Sequence, residues 1–335
     1  MAASPSNATL HDLIQFALEI GSNLRLVQGA GGNISVKHDG IIWIKASGTR
    51  LADAAEKPIF VPLDRAAALP AVLVTEVLDP FIVTASAPEG LRPSIETALH
   101  VLLPHRYVVH VHAVGTIAAG LTDGVDAEII AHPYSFATRV VPYAKPGINL
   151  ALAVNAVLAG AEDSVPVAVF LRNHGLVVGA GDLPTIRAMI TEIEERFAGQ
   201  VATNPPELSS PSETSPSETS LPAGFESLAP AGALTTDQAA ILFAGPLTPD
   251  ASVYLGVRPF VPESDVSELQ SCIIRADGSV LIRTTLGPDE REVALSMIEI
   301  AQMARTDEAT VTLSDDDVQA LLNWDAEKWR QAMKR

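Results

Sequence analysis

Three histidines in this sequence have the residue type and spacing of a catalytic metal site. His110 and His112 fall on a β-rich stretch, Tyr107–His112. Residues two apart on a strand point to the same face, so both imidazoles can reach one ion. His174 follows another predicted strand and precedes Gly175, which allows a sharp backbone turn beside a ligand. Three histidines with a fourth position open are typical of catalytic rather than structural zinc sites. For His110 and His112 alone, a pair of hydrogen-bonded strand histidines is an equal alternative.

Glu96 is the candidate acid or base next to that site. It lies near the first turn of a predicted helix, which Ser94 caps and which runs to about Leu103. A carboxylate at a helix N-terminus is stabilised by the helix dipole, and this is one interpretation of Glu96. The other is proton transfer beside the metal, with the carboxylate as a fourth ligand in the resting state. The sequence by itself leaves both open.

Two glycine-containing loops are candidates for binding an oxygen-rich ligand. Gln28–Asn33 follows a predicted helix and could be only its C-cap. Alternatively, its N–H groups and those of Ser47–Thr49 could cradle an oxyanion. The loop lacks the pattern of a P-loop and follows a helix instead of a strand, which argues against a nucleotide site. Lys45 and Arg50 flank the second loop and could supply positive charge, although isolated basic residues are more often solvated.

The elements that must position these residues are predicted by periodicity and turn signals. An amphipathic helix comes first, because apolar residues recur every three or four positions across Leu10–Leu18. Two strands follow, Ile34–Lys37 and Ile41–Lys45, joined by the strong tight-turn pair Asp39-Gly40. Further strands interspersed with helices predict a layered α/β domain. The hairpins among them predict a sheet that is not all parallel.

A Pro- and Ser-rich segment divides the chain. Residues 203–232 contain a tandem PSETS repeat and few large apolar side chains. They cannot bury enough surface to offset their ordering entropy and are predicted to form a flexible linker. We therefore predict a catalytic domain at 8–202 and a small α+β domain at 233–335. The C-terminal domain shows no catalytic spacing, so the simpler interpretation is that it covers apolar surface. The alternative is a lid or an oligomerisation module.

Composition and charge restrict the classes of partner. The chain has 335 residues, a formal net charge of −18 and one cysteine, Cys272. An acidic surface repels phosphate backbones and anionic lipids, which argues against nucleic-acid and membrane partners and favours a small-molecule substrate. A single cysteine excludes an internal disulfide framework and a cysteine-rich zinc site. With no signal-peptide pattern and no apolar run of about 18 residues, we expect a cytoplasmic protein.

Six ordered segments carry a family resemblance. They are GAGGNIS (29–35), IKASGT (44–49), PSIET (93–97), HVHAVGT (110–116), VPYAKPG (141–147) and NHGLVVGAG (173–181). Together they resemble the class II aldolase/adducin family over roughly residues 8–200. The resemblance implies an α/β fold, a three-layer αβα sandwich around a mixed sheet. It also implies a homotetramer with active sites between neighbouring subunits.

The resemblance also implies roles for eight residues. By this resemblance, the metal ligands would be His110, His112 and His174. Glu96 would be the acid or base. A substrate phosphate would be held by Asn33, Ser47, Gly48 and Ser94. One departure is Ile95, which stands where sugar-phosphate aldolases have a second serine. The segment from Glu96 to His110 is also about five residues shorter than in the commonest members. It looks most like the aldolase half of bifunctional rhamnulose-phosphate aldolase/short-chain dehydrogenases, although this sequence has no glycine-rich dehydrogenase fingerprint.

The predicted function is that of a divalent-metal-dependent aldolase, a lyase that cleaves a C–C bond of a small sugar, sugar phosphate or hydroxy-oxo acid. The metal, Zn²⁺ or else Mn²⁺ or Co²⁺, would polarise the carbonyl and stabilise an enediolate. Glu96 would move the proton at carbon, and Tyr134 or Tyr143 could donate to the departing aldehyde. An epimerase, a decarboxylase or a dehydratase could use the same site. A non-catalytic adducin-like scaffold, the alternative of another class, predicts loss of the histidines, and all three are present.

Overall fold

The first hairpin forms as its turn residues predict. Asp39 and Gly40 both have positive φ, 48° and 80°, and this combination gives a turn whose twist matches that of the flanking strands. The strands on either side pair antiparallel, with Ser35 opposite Ile44. The computed structural model describes most of the chain, namely residues 7–160, 162, 164–198, 221–228, 232–266 and 270–325.

The helices and strands of the described residues alternate along the first half of the chain. The helices are α1 (Asn7–Gly21), α2 (Arg65–Ala71), α3 (Thr97–Leu102), α4 (Val114–Gly120), α5 (Gly124–Ala131), α6 (Ile148–Val157), α7 (Leu183–Ala198), α8 (Thr236–Phe243), α9 (Pro249–Leu255), α10 (Pro288–Met303) and α11 (Asp315–Leu322). The strands are β1 (Asn33–His38), β2 (Ile41–Lys45), β3 (Phe60–Asp64), β4 (Tyr107–Val111), β5 (Ala137–Val141), β6 (Val167–Leu171), β7 (Gly175–Ala180), β8 (Phe225–Ser227), β9 (Phe260–Pro262), β10 (Cys272–Ile274) and β11 (Val280–Arg283). Among the described helices, none has both the length and the apolar content needed to cross a bilayer.

The larger sheet has seven strands in the order β3-β2-β1-β4-β7-β6-β5. Neighbouring strands are antiparallel except β5 and β6, which are parallel. The sheet is therefore mixed, as predicted. In its centre Asn33 of β1 lies opposite His110 of β4, and His110 lies opposite Val177 of β7. This register brings two predicted site residues together in the middle of the sheet.

Helices cover both faces of this sheet, which confirms the predicted three-layer αβα sandwich. On one face α1 and α7 pack through residues such as Phe16 and Ile190 against Ile34 and Val109. On the other face α2, α3 and α6 pack in a second core that contains Val108. Because side chains alternate along a strand, His110 points to the same face as Val108. The α3 side of the sheet therefore carries the site.

The C-terminal region forms a second, smaller α+β unit, as predicted. Its sheet has four strands in the order β8-β11-β10-β9. The turn at Asp277-Gly278 joins the antiparallel pair β10 and β11, and β9 runs parallel to β10. Thr235 caps α8 and Ser314 caps α11, each through a reciprocal capping box. Local turn and cap signals account for these elements.

The two parts of the chain share a hydrophobic core. Four buried residues of the α4 segment pack with α8, α9 and α10 in one cluster: Val114, Ile117, Ala118 and Leu121. The strand Phe225–Ser227, which pairs with β11, lies inside the segment predicted as a linker. This part of the linker prediction is wrong, because Phe225 is an apolar anchor that the second sheet buries. Residues 203–220 and 229–231 of that segment lie outside the described residues.

Candidate metal centre

The three histidines meet in one buried cluster. His110 is on β4, His112 follows the end of that strand, and His174 lies in the turn between β6 and β7. The ring centroids of the three pairs are 5.0, 4.9 and 5.2 Å apart, and one ring nitrogen of each lies within 4.8 Å of the other two. The three residues are at most 7% exposed. The arrangement has the number and type of ligands of a catalytic metal site.

The turn that carries His174 depends on its two neighbours. Asn173 has a φ of 57°, a left-handed conformation that asparagine tolerates better than most residues. Gly175 has a φ of 149°, and a Cβ there would lie 2.2 Å from the carbonyl oxygen of Val111. Any side chain at position 175 would therefore push β7 away from β4. The Asn-His-Gly sequence therefore allows the backbone at Gly175 to approach Val111 closely, so that His174 faces His112.

Glu96 faces the histidines from the start of α3. Its Oε2 lies 3.4 Å from Nε2 of His110, and its Oε1 lies 3.6 Å from Nε2 of His174. Two ligands of a tetrahedral zinc ion, each at about 2.0–2.1 Å, are about 3.3–3.4 Å apart. The observed separations are close to that value. The donor set and its spacing thus fit a divalent metal held by three imidazoles and one carboxylate.

The helix that carries Glu96 starts later than predicted. Glu96 takes the N-cap position, and Ser94 Oγ accepts from the N–H of Glu96 at 3.2 Å in the turn that precedes the helix. The helix begins at Thr97, whose N–H donates to the carbonyl of Ser94. The Glu96 side chain does not cap the helix and points into the histidine cluster instead. Dipole compensation alone therefore does not explain this carboxylate.

A buried hydrogen-bond chain holds Glu96 in place. Asn33 Nδ2 donates to Glu96 Oε2 at 2.7 Å, and Asn33 Oδ1 contacts Nε2 of His100. The other ring nitrogen of His100 lies 2.8 Å from Ser35 Oγ. Sequence reasoning missed His100, although its place one helical turn after Glu96 was a usable signal. These hydrogen bonds fix the Glu96 carboxylate on the side away from the histidines and leave its Oε1 directed at the cluster.

Burial sets the protonation states of the cluster. Burial lowers the pKa of His174 to about 3, and it also lowers the pKa of His110, in each case partly offset by Glu96. For Glu96, burial would raise the pKa, but His110, His174 and His112 and the bond from Asn33 outweigh it and lower the pKa to about 2. At neutral pH His110 and His174 are therefore neutral and Glu96 is ionised. These are the forms that bind a metal.

Several polar atoms of the cluster are buried without a hydrogen-bond partner among the described residues. They include Nε2 of His110, Nε2 of His112 and Oε1 of Glu96. By contrast, Nδ1 of His110 lies 3.1 Å from the carbonyl of Leu176. That contact favours the tautomer that leaves Nε2 as the free acceptor. Since a buried polar atom without a partner costs about 1–3 kcal/mol, the cluster is complete only when a ligand engages these atoms.

The remaining predicted site residues line one cleft beside the cluster. Ser47, Gly48 and Ser94 all face it, together with Asn33 and Glu96. Ser47 Oγ is buried and has no hydrogen-bond partner among the described residues. The amide of Asn33, however, is already engaged by Glu96.

Lys45 and Arg50, which could have been ordinary solvated side chains, both have partners within the protein. Lys45 is buried, lines the cleft and donates from Nζ to the carbonyl of Ala30 at 2.9 Å. Arg50 is held by Asp289 and by Glu292 of α10, the latter at 2.6 Å. The structure thus places the Lys45 ammonium in the cleft, whereas Arg50 is engaged by two carboxylates of the C-terminal region.

The two candidate tyrosines lie away from the cleft wall. Tyr134 stacks on Phe136, and the guanidinium of Arg196 lies 3.5 Å from its ring centroid. Tyr143 packs against the core of α11, which includes Leu321. Burial raises the pKa of both phenols. Neither tyrosine is among the residues that line the cleft.

The C-terminal region also contributes to the cleft, which sequence reasoning missed. Pro249, Asp250 and Val253 of α9 and, further on, Leu321 and Trp324 line it. The sequence Thr248-Pro249-Asp250 has the composition of an ordinary helix start, which gives no sign of a place in the cleft.

The motifs, fold and site agree with a known family. Residues 11–201 match the model for the Class II Aldolase and Adducin N-terminal domain. The chain belongs to this family. The family domain contains the seven-stranded sheet, the three histidines and Glu96, whereas Asp250 and the other C-terminal cleft residues lie beyond it.

Similar proteins match between 50% and 59% of the chain. An uncharacterized oxidoreductase, YuxG of Bacillus subtilis strain 168, is 27% identical over 186 residues, which are 50% of this chain and 26% of that protein. The chain thus matches about a quarter of that relative's length. The N-terminal class II aldolase domain of a conserved Thermoplasma acidophilum protein is 28% identical, with a TM-score of 0.47 over 59% of this chain and 97% of that one. L-fuculose-1-phosphate aldolase of Thermus thermophilus is 20% identical, with a TM-score of 0.38 over 57% of this chain and 92% of that one.

Proposed function

We propose that this protein is a metal-dependent aldolase that cleaves a C–C bond in a small hydroxylated carbonyl compound. The observation that carries the proposal is the buried set of His110, His112, His174 and Glu96, in which Nε2 of His110, Nε2 of His112 and Oε1 of Glu96 have no hydrogen-bond partner among the described residues. Membership of the class II aldolase and adducin family supports it. A bound divalent metal, for which we propose zinc, would act as a Lewis acid that polarises the substrate carbonyl.

The residues of the chain itself would supply proton transfer and orientation. Glu96, ionised at neutral pH, would exchange a proton with the substrate carbon next to the carbonyl: in the cleavage direction it would deliver to that carbon the proton that leaves the distal hydroxyl as the C–C bond breaks. Asn33 keeps that carboxylate in one orientation. Ser47 Oγ, the Gly48 backbone and Ser94 would bind oxygens of the substrate's far end, and Lys45 would attract a negative charge there.

The same cluster would also suit an epimerase, a decarboxylase or a dehydratase, so the product identifies the reaction. A scaffold without catalysis is disfavoured, because it has no use for three histidines and a carboxylate buried together. We also propose that the protein is a homotetramer, as the family resemblance implies. Light scattering of the purified protein would test that assignment separately.

The experiment combines metal analysis with a product assay. Purified protein is analysed for bound metals, stripped with a chelator and reloaded with Zn²⁺, Mn²⁺ or Co²⁺. It is then assayed for aldehyde release from phosphorylated and free ketoses and from 2-oxo-4-hydroxy acids. We expect metal-dependent aldehyde release, and a loss of at least about 100-fold in Glu96→Gln. His11→Gln, a change of an exposed histidine on α1, should leave activity unchanged. Release of carbon dioxide or an epimer, or activity that survives metal removal, would contradict the proposal.

A further inference from the structure

The C-terminal region is attached directly to the loops that form the metal centre. Asn173, next to His174, donates from Nδ2 to the carbonyls of Leu247 at 3.1 Å and Val311 at 2.8 Å. On the opposite side of the cleft, the N–H of Gly29 donates to Glu292 Oε2 at 2.7 Å. Together with the shared core around α4, these bonds fix α9 relative to the histidines.

Within this attached region, Asp250 is the residue that reaches the histidines. Its Oδ2 lies 2.9 Å from Nδ1 of His112, and the Asp250 side chain is only 10% exposed. The start of α9 is held by Thr248, whose Oγ1 accepts from the N–H of Ala251 at 3.2 Å. The contact is sterically tight, since a Cβ on Gly31 would lie 2.8 Å from His112 Nδ1 and 3.0 Å from Asp250 Oδ2. Gly31 therefore lies against both groups, and the contact leaves no room for a side chain at that position.

Metal-binding histidines usually donate their second ring nitrogen to an oxygen, which fixes the tautomer and the orientation of the ring. For His110 that oxygen is the carbonyl of Leu176. His112 lies beyond the last residue of β4, outside the regular pairing of the strand. At His112 the oxygen beside Nδ1 is Oδ2 of Asp250, at a contact distance of 2.9 Å.

We propose that Asp250 is a positioning residue for the metal centre. The Asp250 carboxylate holds His112 with Nδ1 protonated and Nε2 directed at the metal. The inference rests on the proposed metal centre and adds a residue outside the matched family domain. It follows that the metal centre is completed by the C-terminal region of the same chain. The second unit is then part of the active site and does more than cover apolar surface.

Metal affinity of the full-length protein tests this role without an activity assay. The metal-free forms of wild type, Asp250→Ala and Asp250→Asn are titrated with Co²⁺. The affinity for Co²⁺ and the d–d absorption of the bound Co²⁺ are recorded for each protein. We expect Asp250→Ala to bind Co²⁺ about 10–100-fold more weakly. Asp250→Asn should fall between it and wild type, because the amide oxygen can still accept the Nδ1 proton. The shape and intensity of the d–d bands at saturation should stay those of wild type, since the ligands are unchanged.

Two matched variants separate positioning from general damage. Asp237→Asn changes an exposed carboxylate on α8 of the same region and should leave the affinity unchanged. Glu292→Gln weakens the attachment at Gly29 without touching a histidine, and should cost less affinity than Asp250→Ala. Thermal unfolding of each metal-free variant reports folding.

Four outcomes would overturn the inference. Wild-type affinity in Asp250→Ala would exclude the role, and an equal loss in Glu292→Gln would assign the effect to attachment of the region. If the d–d bands of Co²⁺ bound to Asp250→Asn changed to an intensity typical of a different coordination number, Asp250 would be a direct ligand. If the wild type itself bound no divalent metal, the proposed function would fail together with the inference. If the wild type bound metal and the Asp250 variants bound it equally well, only the inference about Asp250 would fail and the proposed function would stand.

Discussion

Asn33 Nδ2 donates to Glu96 Oε2 at 2.7 Å, and both side chains are buried between the sheet and α3. Asn33 starts β1 and lies opposite His110 on β4, so the backbone pairing that builds the sheet also sets the distance from Glu96 to its histidine partner. An amide is suited to this position because it donates to the carboxylate without adding charge.

Replacing Asn33 with aspartate should therefore damage the centre more than removing the side chain. In Asn33→Asp a second carboxylate would face Glu96 in a buried site, and two such groups cannot both ionise cheaply. We expect Asn33→Asp to lose metal affinity and activity by at least about tenfold more than Asn33→Ala. Titration with Co²⁺ and the aldehyde assay would measure both. Asn155→Asp, an exposed position on α6, is the matched control and should change neither. Equal effects of Asn33→Asp and Asn33→Ala would show that charge at this position does not matter.

The metal-free protein should lose stability as the pH falls from 7 to 5. The folded-state pKa of His174 is about 3, below its ordinary value of 6.5, because of burial. The unfolded chain therefore takes up a proton between those values that the folded chain does not, so stability falls as pH falls. Urea unfolding at pH 7 and pH 5 should differ by an amount that includes about 1–2 kcal/mol from this group. His174→Gln should reduce the difference by that amount. A wild-type protein whose stability is unchanged at pH 5 would contradict the assignment.

Gly31 should tolerate no side chain. A Cβ there would lie 2.8 Å from His112 Nδ1 and 2.9 Å from the carbonyl oxygen of Gln28. Because the backbone oxygen cannot move aside, we expect Gly31→Ala to destabilise the protein by about 1–3 kcal/mol and to weaken metal binding. Gly181→Ala, where a Cβ would meet no atom within 4 Å, should stay within about 0.5 kcal/mol of wild type. Urea unfolding compares the two, and equal stabilities would refute the steric account.

Glu194 of α7 should stabilise the helix that joins the two cores. Its carboxylate accepts from the N–H of Gly115 at 3.3 Å and from the N–H and Oγ1 of Thr116 at 3.2 and 2.9 Å. The residue before α4, Ala113, cannot cap the helix itself. Glu194→Ala leaves helix-start N–H groups without a partner and should cost about 1–3 kcal/mol of unfolding free energy. The exposed neighbour provides the control: Glu195→Ala should cost less than about 0.5 kcal/mol. Similar losses in both variants would point to helix propensity instead.

Local signals predicted the elements of this fold well. The Asp39-Gly40 turn, the alternation around His110 and the apolar face of α1 each depend on residues that are close in sequence. The family motifs then placed the histidines and Glu96 in one cluster, as the structure finds.

What sequence reasoning missed depends on contacts between distant parts of the chain. The role of Asp250 arises only because α4 is buried under α10, and nothing near Asp250 signals that packing. Lys45 is buried by the loop around Ala30, although its neighbours in sequence also suit a solvated lysine. Ser94 was predicted to cap α3, but the helix begins at Thr97, and the bond from the N–H of Glu96 to the Ser94 hydroxyl belongs to the turn before it.

The shared core around α4 also determines when the centre is finished during synthesis. His110, His112, His174 and Glu96 all emerge from the ribosome before Asp250. Until α9 and α10 follow, Val114, Ile117 and Leu121 lack the apolar partners that bury them in the folded chain. The nascent chain therefore holds all four proposed ligands while the cleft beside them still lacks one wall. The order of translation makes closure of that cleft a late event.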